Sequence, residues 1–454
     1  MNTSLIQKYN VPGPRYTSYP TVPFWDNTTF SEAAWITSLQ RAFRSTNGTH
    51  GVSLYIHLPY CESLCTFCGC NKRITRNHAV EEPYIDALIR EWMLYCDLLP
   101  ERPRLAYLHL GGGTPSFFKP QSLDKLMKGL FLFADQADTI EYGWEGHPNN
   151  TTREHLQTLY DHGFRRVSFG VQDYDPVVQK AIHRFQPFRN VQNVTEWARK
   201  IGYTSVSHDL VFGLPFQRPE SIRDTVAKTL ALRPDRIAFY SYAHVPWIKG
   251  NGQRGFRDED LPSGEGKRTL YEVGLALLEA GGYHEIGMDH FAMPHDSMYK
   301  AMQTGALHRN FMGYTTTRTQ VLLGLGASSI GDVWTAFAQN EKDVDTYMAR
   351  VQAGELPLTR GHVLNPEDQW VRRQILTIMC CYGTQWELSD WTPAEWEELA
   401  LKLEGFRQDG LIVYDEQALR VLPAGMPFLR NICMAFDKRL HRSQTRERLF
   451  SQTV

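Results

Sequence analysis

The sequence has no run of about eighteen apolar residues, the length a membrane-spanning helix needs. Its opening, MNTSLIQKYN, lacks the charged-then-apolar pattern of a secretory signal. These absences predict a cytoplasmic chain with no membrane partner. Charge of one sign is also missing. With 48 basic and 50 acidic side chains the net charge is -2, so no global field draws the chain to nucleic acid, and no nucleic-acid partner is expected. Cysteine is sparse: eight thiols in 454 residues, in a chain without a secretory segment, do not make a disulfide framework. Sequons such as Asn27-Thr28-Thr29 and Asn150-Thr151-Thr152 carry no weight without secretion. Internal repeats and low-complexity tracts are absent, and a monomer is expected.

What is present is a concentration of those few thiols. Val52 to Asn71 reads VSLYIHLPYCESLCTFCGCN. Alternating Val52, Leu54, Ile56 and Leu58 predict a strand, and the loop after it carries Cys61, Cys65, Cys68 and Cys70 within ten residues. The other four, Cys96, Cys380, Cys381 and Cys433, are scattered. Zinc sites normally draw ligands from two separated pairs, whereas here all candidates crowd one loop. Three thiolates spaced C-x3-C-x2-C suit a 4Fe-4S cube instead, holding three irons and leaving the fourth open to a reactant. A zinc-binding scaffold is the rival reading, and the colour of the protein separates the two.

A chain this long predicts one large domain and a smaller one. Residues 1 to 50 show no clear strand, and Val11 to Phe24 is too rich in Pro and Gly for a long regular element. This arm offers Arg15, Tyr16, Tyr19 and Trp25, whose charge, ring faces and hydroxyls suit a lid over a flat anionic ligand. Removing residues 1 to 24 is therefore expected to spare cofactor chemistry and impair substrate conversion.

Strand-like runs at 52–58, 104–110, 139–145, 165–171, 204–212, 236–243 and 284–291, with a later run at 321–330, alternate with helical stretches at 81–98, 120–134, 151–162, 188–201, 219–232 and 263–281. The alternation predicts βαβ units, a parallel sheet and a full or partial barrel. Reactive groups of such barrels gather at the strand ends. There the chain places Gly111 to Gly113, Glu145, Gln172, Asp209, Ala243 and His244. Each has a plainer use. The glycines make a tight turn, the carboxylates cap or face water, and Arg184 is a surface charge. His57, His109, His147, His244 and His290 serve as core or rim histidines. Beyond LTRGHVLNPED the pattern changes to helices, the hairpin LIVYDEQALRVL and a final helix, PFLRNICMAFDKRLHR. That order is similar to a winged helix, but Glu395, Glu397, Glu398, Glu404 and Asp409 deny it a basic footprint.

The cysteine triad after a strand, with Phe67 before its third member, resembles the radical S-adenosylmethionine (SAM) enzymes. The added Cys70-Asn71-Lys72 narrows the likeness to the oxygen-independent coproporphyrinogen III oxidases. Further motifs extend it over nearly the full chain: PGPRYTSYP, LGGGTP, GVQD, DLVFGLP, YAH, GMDHFA, LHRNFMGYTT and RNICMAFD. The resemblance implies an α/β fold, a radical SAM partial (β/α)6 TIM-like barrel over 51–362. An N-terminal arm over the active site (1–50) and a small, mostly helical, winged-helix-like C-terminal domain (363–454) complete it. It implies a 4Fe-4S cluster on Cys61, Cys65 and Cys68, with Cys70 not a ligand. SAM contacts fall on Tyr55, Phe67, Gly112, Gly113, Thr114, Glu145, Gln172, Arg184, Asp209, Ala243 and Ile330. Arg184 would pair with the SAM carboxylate, Gln172 and Asp209 would hold the ribose, and Phe67 and Ala243 would border the adenine.

The implied reaction turns two propionates of coproporphyrinogen III into vinyl groups, giving protoporphyrinogen IX, by a 5'-deoxyadenosyl radical that removes a propionate β hydrogen. An electron donor protein of unstated identity is implied. Gly146-His147 departs from the family pattern, where a bulkier apolar residue and an aspartate are expected. The nearest alternatives are a relative that transfers a methyl group to haem with ring opening, and a haem chaperone. Arg15 to Pro20 and Cys70 speak against the chaperone, which lacks both.

Overall fold

The structure is a computed structural model and describes residues 3–247, 252–443 and 449–453. Six strands lie side by side in chain order: β1 (Val52–Leu58), β2 (Arg104–Gly112), β3 (Asp135–Gly146), β4 (Arg166–Gln172), β5 (Ser205–Phe212) and β6 (Arg236–Ser241). Every successive pair is parallel. Parallel neighbours need a long crossover, and helices supply it. After α1 (Glu32–Thr46) come α2 (Glu81–Leu98), α3 (Pro120–Phe131), α4 (Arg153–Asp161), α5 (Phe188–Ile201), α6 (Pro219–Leu232) and α7 (Gly264–Ala280). The expected partial barrel is thus present. Within β4, Val167, Phe169 and Val171 are buried while Arg166, Ser168, Gly170 and Gln172 are half-buried. The period of two sends one set into the helical layer and leaves the polar set for the interior.

Two expected strands are divided. Residues 284–291 form a hairpin, His284–Gly287 and His290–Ala292, antiparallel beside β6 and turned at Met288 and Asp289 with φ of 33° and 69°. The run 321–330 splits into β7 (Leu322–Leu325), parallel to β1, and the antiparallel strand Ile330–Asp332. Gly326 and Ser328, with φ of 94° and 65°, turn the chain between them. Non-glycine residues at positive φ leave little trace in sequence. Helix α1, which no expectation covered, has plain signals: Ser31 accepts from the Ala34 N–H, and Trp35, Leu39, Ala42 and Phe43 form a buried stripe.

The C-terminal region has its own core around α8 (Pro366–Cys381), α9 (Pro393–Gln408) and α10 (Leu429–Phe436), beside a three-stranded sheet that includes the expected hairpin. The expected final helix breaks at Asp437, whose carboxylate caps the short helix Lys438–Arg442. Tyr9, Tyr16 and Tyr19 of the arm belong to this core. The lid reading of the arm's rings is therefore corrected. Tyr16 is 1% exposed and donates to Asp437 at 3.0 Å, Tyr19 is 3% exposed, and Trp25 stacks on Phe337 at 5.4 Å. Rings of this size release more water inside a core than at a rim. Arg15 reaches the end of β6, donating from Nη2 to the Ser241 carbonyl at 2.7 Å.

Candidate active site

The thiol loop leaves the end of β1 and is pinned along its length. His57 Nε2 meets the Asn71 carbonyl at 2.9 Å, closing the loop's far end onto the strand that starts it. Thr66 donates from its N–H to the Ile182 carbonyl at 3.0 Å and from Oγ1 to the Ala181 carbonyl at 2.8 Å. His183 Nδ1 lies 3.0 Å from the Leu64 carbonyl. These contacts fasten the loop to the turn that carries Arg184. The Cys61 sulfur lies 3.2 Å from Thr114 Oγ1, and the Gly252 N–H donates to the Cys68 carbonyl at 3.1 Å.

Gly112 and Gly113 are where the end of β2 presses against this loop. A Cβ on Gly113 would stand 2.6 Å from the Pro59 carbonyl, and one on Gly112, at φ 114°, would stand 2.8 Å from the His57 ring. The tight-turn account of the glycines holds, and their backbones still line the cavity.

That cavity, about 560 Å³, has Cys61, Cys65, Cys68 and Cys70 in its wall together with Phe67, Gly112, Gly113, Thr114, Glu145, Gln172, Arg184 and Asp209. Its size suits a small cofactor. Tyr55, Ala243 and Ile330 stand outside this lining. Tyr55 is one layer back, its ring stacked on His109 at 6.2 Å. Tyr55 also pairs across the sheet with Gly324, whose missing side chain lets the Ile330 backbone approach. Ala243 is tied in by Gln253, whose Nε2 donates to the carbonyls of Ala243 at 2.7 Å and Phe67 at 3.2 Å.

Asp209 accepts from Ser168 Oγ at 2.7 Å. Burial, reinforced by the nearby Glu145, pushes its carboxyl up to about 7. Glu145 is held by His109 Nε2 at 3.1 Å. Arg184 donates from Nη2 to the Gly170 carbonyl at 2.6 Å and places Nη1 3.7 Å from the Cys65 sulfur. Its Nε is buried without a partner. Burial, then the Arg184 charge, holds the His147 imidazole well below its usual range. Cys70 shares its hydrogen with Cys68, and that bond, aided by Lys72 and Arg184, draws the Cys68 thiol below its usual range.

The Radical SAM superfamily profile matches residues 55–228. The oxygen-independent coproporphyrinogen III oxidase of Helicobacter pylori J99 is 38% identical over 459 residues, covering 99% of this chain and 98% of the relative. That of Escherichia coli K12 is 38% identical over 465 residues, with the same two coverages. The chain belongs to the oxygen-independent coproporphyrinogen III oxidase family. The solved structure of the Escherichia coli coproporphyrinogen III oxidase, described as a radical SAM enzyme, is similar with a TM-score of 0.88 at 36% identity. It covers 96% of this chain and 98% of that one.

The cofactors of an oxygen-independent coproporphyrinogen III oxidase are a 4Fe-4S cluster and SAM, and the residues present fit both. Among the described residues no three His, Cys, Asp or Glu side chains converge on a site for a single ion. The thiols are spread around one cavity, as a cube that gives each thiolate a different iron requires. The unpartnered Arg184 Nε beside them suits the carboxylate of an amino acid. Sequence reasoning took His57 only as a core or rim histidine and missed the parts played by Thr66, Ser168 and Gln253, which hold segments that line the cavity. A Cβ on Gly146 would stand 2.8 Å from Thr151 Oγ1 and 2.9 Å from the Phe169 ring, so packing leaves no room for a side chain there, and both Gly146 and His147 line the cavity.

Proposed function

We propose that this chain converts coproporphyrinogen III to protoporphyrinogen IX without dioxygen, by oxidative decarboxylation of two propionates to vinyl groups. The observation that carries the reading is the likeness, along the whole chain, to enzymes of that name, joined to a cavity with three cluster-spaced thiols in its wall. Cys61, Cys65 and Cys68 hold the cluster. When bound, the cluster and SAM supply the one-electron and hydrogen-abstracting chemistry that an unactivated propionate C–H bond demands.

The chain's residues bind and orient. Arg184 offers a guanidinium fork to the carboxylate of SAM, next to Cys65. Gln172 and Asp209 take the ribose hydroxyls, Asp209 being steadied by Ser168. Phe67 and Ala243 border the adenine, joined behind by Gln253. Glu145, fixed by His109, faces the methionine end beside Gly112, Gly113 and Thr114. Tyr55 and Ile330 support that wall from behind. The arm, residues 1–50, closes over the barrel (51–362) and is held by the helical module (363–454). The reducing electron comes from a donor protein, and the enzyme works as a cytoplasmic monomer. Among the described residues no helix is long and apolar enough to cross a membrane.

The test is anaerobic incubation of the reconstituted protein with SAM, a strong reductant and coproporphyrinogen III, followed by mass analysis. Loss of two carbon dioxide units with formation of methionine and 5'-deoxyadenosine is expected. Cleaved SAM beside an untouched porphyrinogen would overturn the substrate half of the reading.

A further inference from the structure

Away from the thiol-lined cavity, four cations gather where the arm meets the end of β6. Arg309 and Arg430 are buried, at 5% and 7% exposure, and Arg15 and Lys267 are half-buried beside them. Elsewhere in the chain buried arginines pair with acids: Arg236 with Asp296 at 2.7 Å, Arg372 with Asp332 at 2.5 Å. Among the described residues none of these four forms an ion pair. Asp289 is the acid whose carboxyl responds to Arg15, Arg430 and Lys267. Buried charge is ordinarily compensated, so an excess of one sign calls for a counterpart of the other.

The donors separate clamp from site. Arg430 commits all three guanidinium nitrogens to main-chain carbonyls: Pro14 at 2.9 Å, Gln452 at 3.1 Å, Thr453 at 3.2 Å, and Gly13. It fastens the arm. Arg309 is less committed, since Nε and Nη2 lie 3.4 Å from the carbonyls of Tyr16 and Arg15, and Nη1 is buried without a partner. Arg15 donates from Nη2 to Ser241, and Lys267 donates to the Tyr242 carbonyl at 3.0 Å, which leaves both with spare N–H groups.

Ser241 and Tyr242 stand at the same rim as Ala243. One residue earlier, Tyr240 feels Asp209 and Glu145 of the cofactor cavity as well as Arg309 and Arg15. A second cavity of about 120 Å³ has Glu145, Asp209, Tyr240 and Tyr314 in its wall, and the Arg309 guanidinium lies over the Tyr314 ring at 4.6 Å. Arg309 thus abuts this second cavity through the Tyr314 ring, while Arg15 and Lys267 sit at the end of β6, bonded to the carbonyls of the two residues before Ala243.

We propose that Arg15, Lys267 and Arg309 form a carboxylate subsite that holds one propionate of the tetrapyrrole while another is presented to the cofactors. The inference rests on the tetrapyrrole reading above. Two guanidinium forks and an ammonium match a carboxylate in charge and geometry. Burial pushes the Lys267 ammonium down to about 7, with Arg15 and Arg430 adding to the effect, and a bound anion would restore its charge.

The test titrates reconstituted wild type, Arg309→Met and Lys267→Met with a porphyrin tetrapropionate and a porphyrin dipropionate, read by fluorescence quenching, with SAM affinity measured in the same preparations. Lys267→Met is included because Lys267 bonds no carbonyl of the arm. The expected result is about a tenfold or larger loss of tetrapropionate affinity in each variant, a smaller loss for the dipropionate, and retained SAM affinity. Wild-type affinities in both variants would overturn the subsite. So would a joint loss of SAM and porphyrin binding in both, which marks a structural role. If the wild type binds neither porphyrin and leaves coproporphyrinogen untouched, the tetrapyrrole reading itself falls, an outcome distinct from variants that merely match an active wild type.

Discussion

Arg184 lies with Nη1 3.7 Å from the Cys65 sulfur, so one guanidinium joins the thiol loop to the end of β4, where its Nη2 holds Gly170. The role proposed for this side chain is at the amino-acid end of SAM rather than at the iron. Arg184→Met is expected to weaken SAM binding about tenfold or more, as loss of a charged hydrogen bond does, while iron content stays intact. Arg184→Lys recovers only part, because an ammonium lacks the planar fork. Equilibrium binding of SAM with parallel iron analysis checks both; an unchanged SAM affinity in Arg184→Met would sink the role.

The four clustered thiols are separable by substitution. Cys65→Ala is expected to abolish the cluster and turnover while circular dichroism shows a folded barrel, because the loop lies at a surface mouth. Cys70→Ser is expected to retain iron. Anaerobic absorption spectra and iron–sulfide analysis distinguish them, and a cluster of normal content in Cys65→Ala would remove the assignment.

The barrel was legible because its strands and helices announce themselves locally. Helices at 81–98, 188–201 and 219–232 coincide with the expected spans, as does the strand 52–58. Turns that rest on non-glycine residues at positive φ, Met288 and Asp289 in one case and Ser328 beside Gly326 in the other, leave little trace, so 284–291 and 321–330 each look like one run in the sequence. The site followed the same division. Motif residues such as Cys61 stood out, Arg184 reads as a surface charge until the family resemblance is added, and Gln253 sits in an unremarkable polar stretch that gains meaning only when the fold brings Phe67 and Ala243 to it. The arm misled for a different reason. Proline-rich sequence shows that a segment is extended but not which of its rings face inward.

Glu91 on α2 is fully buried and accepts from Tyr347 OH and Asn340 Nδ2, each at 2.6 Å, and from the Gly326 N–H at 2.8 Å. It thereby fixes the turn that leads from β7 to Ile330. Burial pushes its carboxyl up to about 7, against the pull of those donors. The folded state therefore binds the proton more tightly than the unfolded chain, and this carboxyl's contribution to stability grows as pH falls from about 7 toward the ordinary carboxylate value. Glu91→Gln has no such proton to gain. Its deficit against wild type should widen on acidification by up to about 1.4 kcal/mol per pH unit in that window. Urea unfolding of the apoprotein at several pH values measures this, and a pH-independent gap would show that Glu91 does not titrate there.

The burial of Tyr16 and Tyr19 reverses the expectation for the arm. Removing residues 1 to 24 should unfold or strongly destabilise the C-terminal module and depress SAM cleavage along with substrate conversion. Tyr16→Ala alone should cost about 3 kcal/mol or more, the usual result of truncating a buried ring. Thermal unfolding together with a SAM cleavage assay decides the matter. A truncated protein of normal stability that still cleaves SAM would restore the arm as a detachable cover.

Pro12 bridges to Gln452, and Arg430 grips Gly13 and Pro14. A segment synthesised first is thus seated by segments synthesised last. Cys61, Cys65 and Cys68 leave the ribosome long before residue 452 does, so the nascent barrel presents its thiols while the arm still has nothing to dock on. The arm can therefore take its seat only once the C-terminal residues have been made, so its docking is a late step in folding.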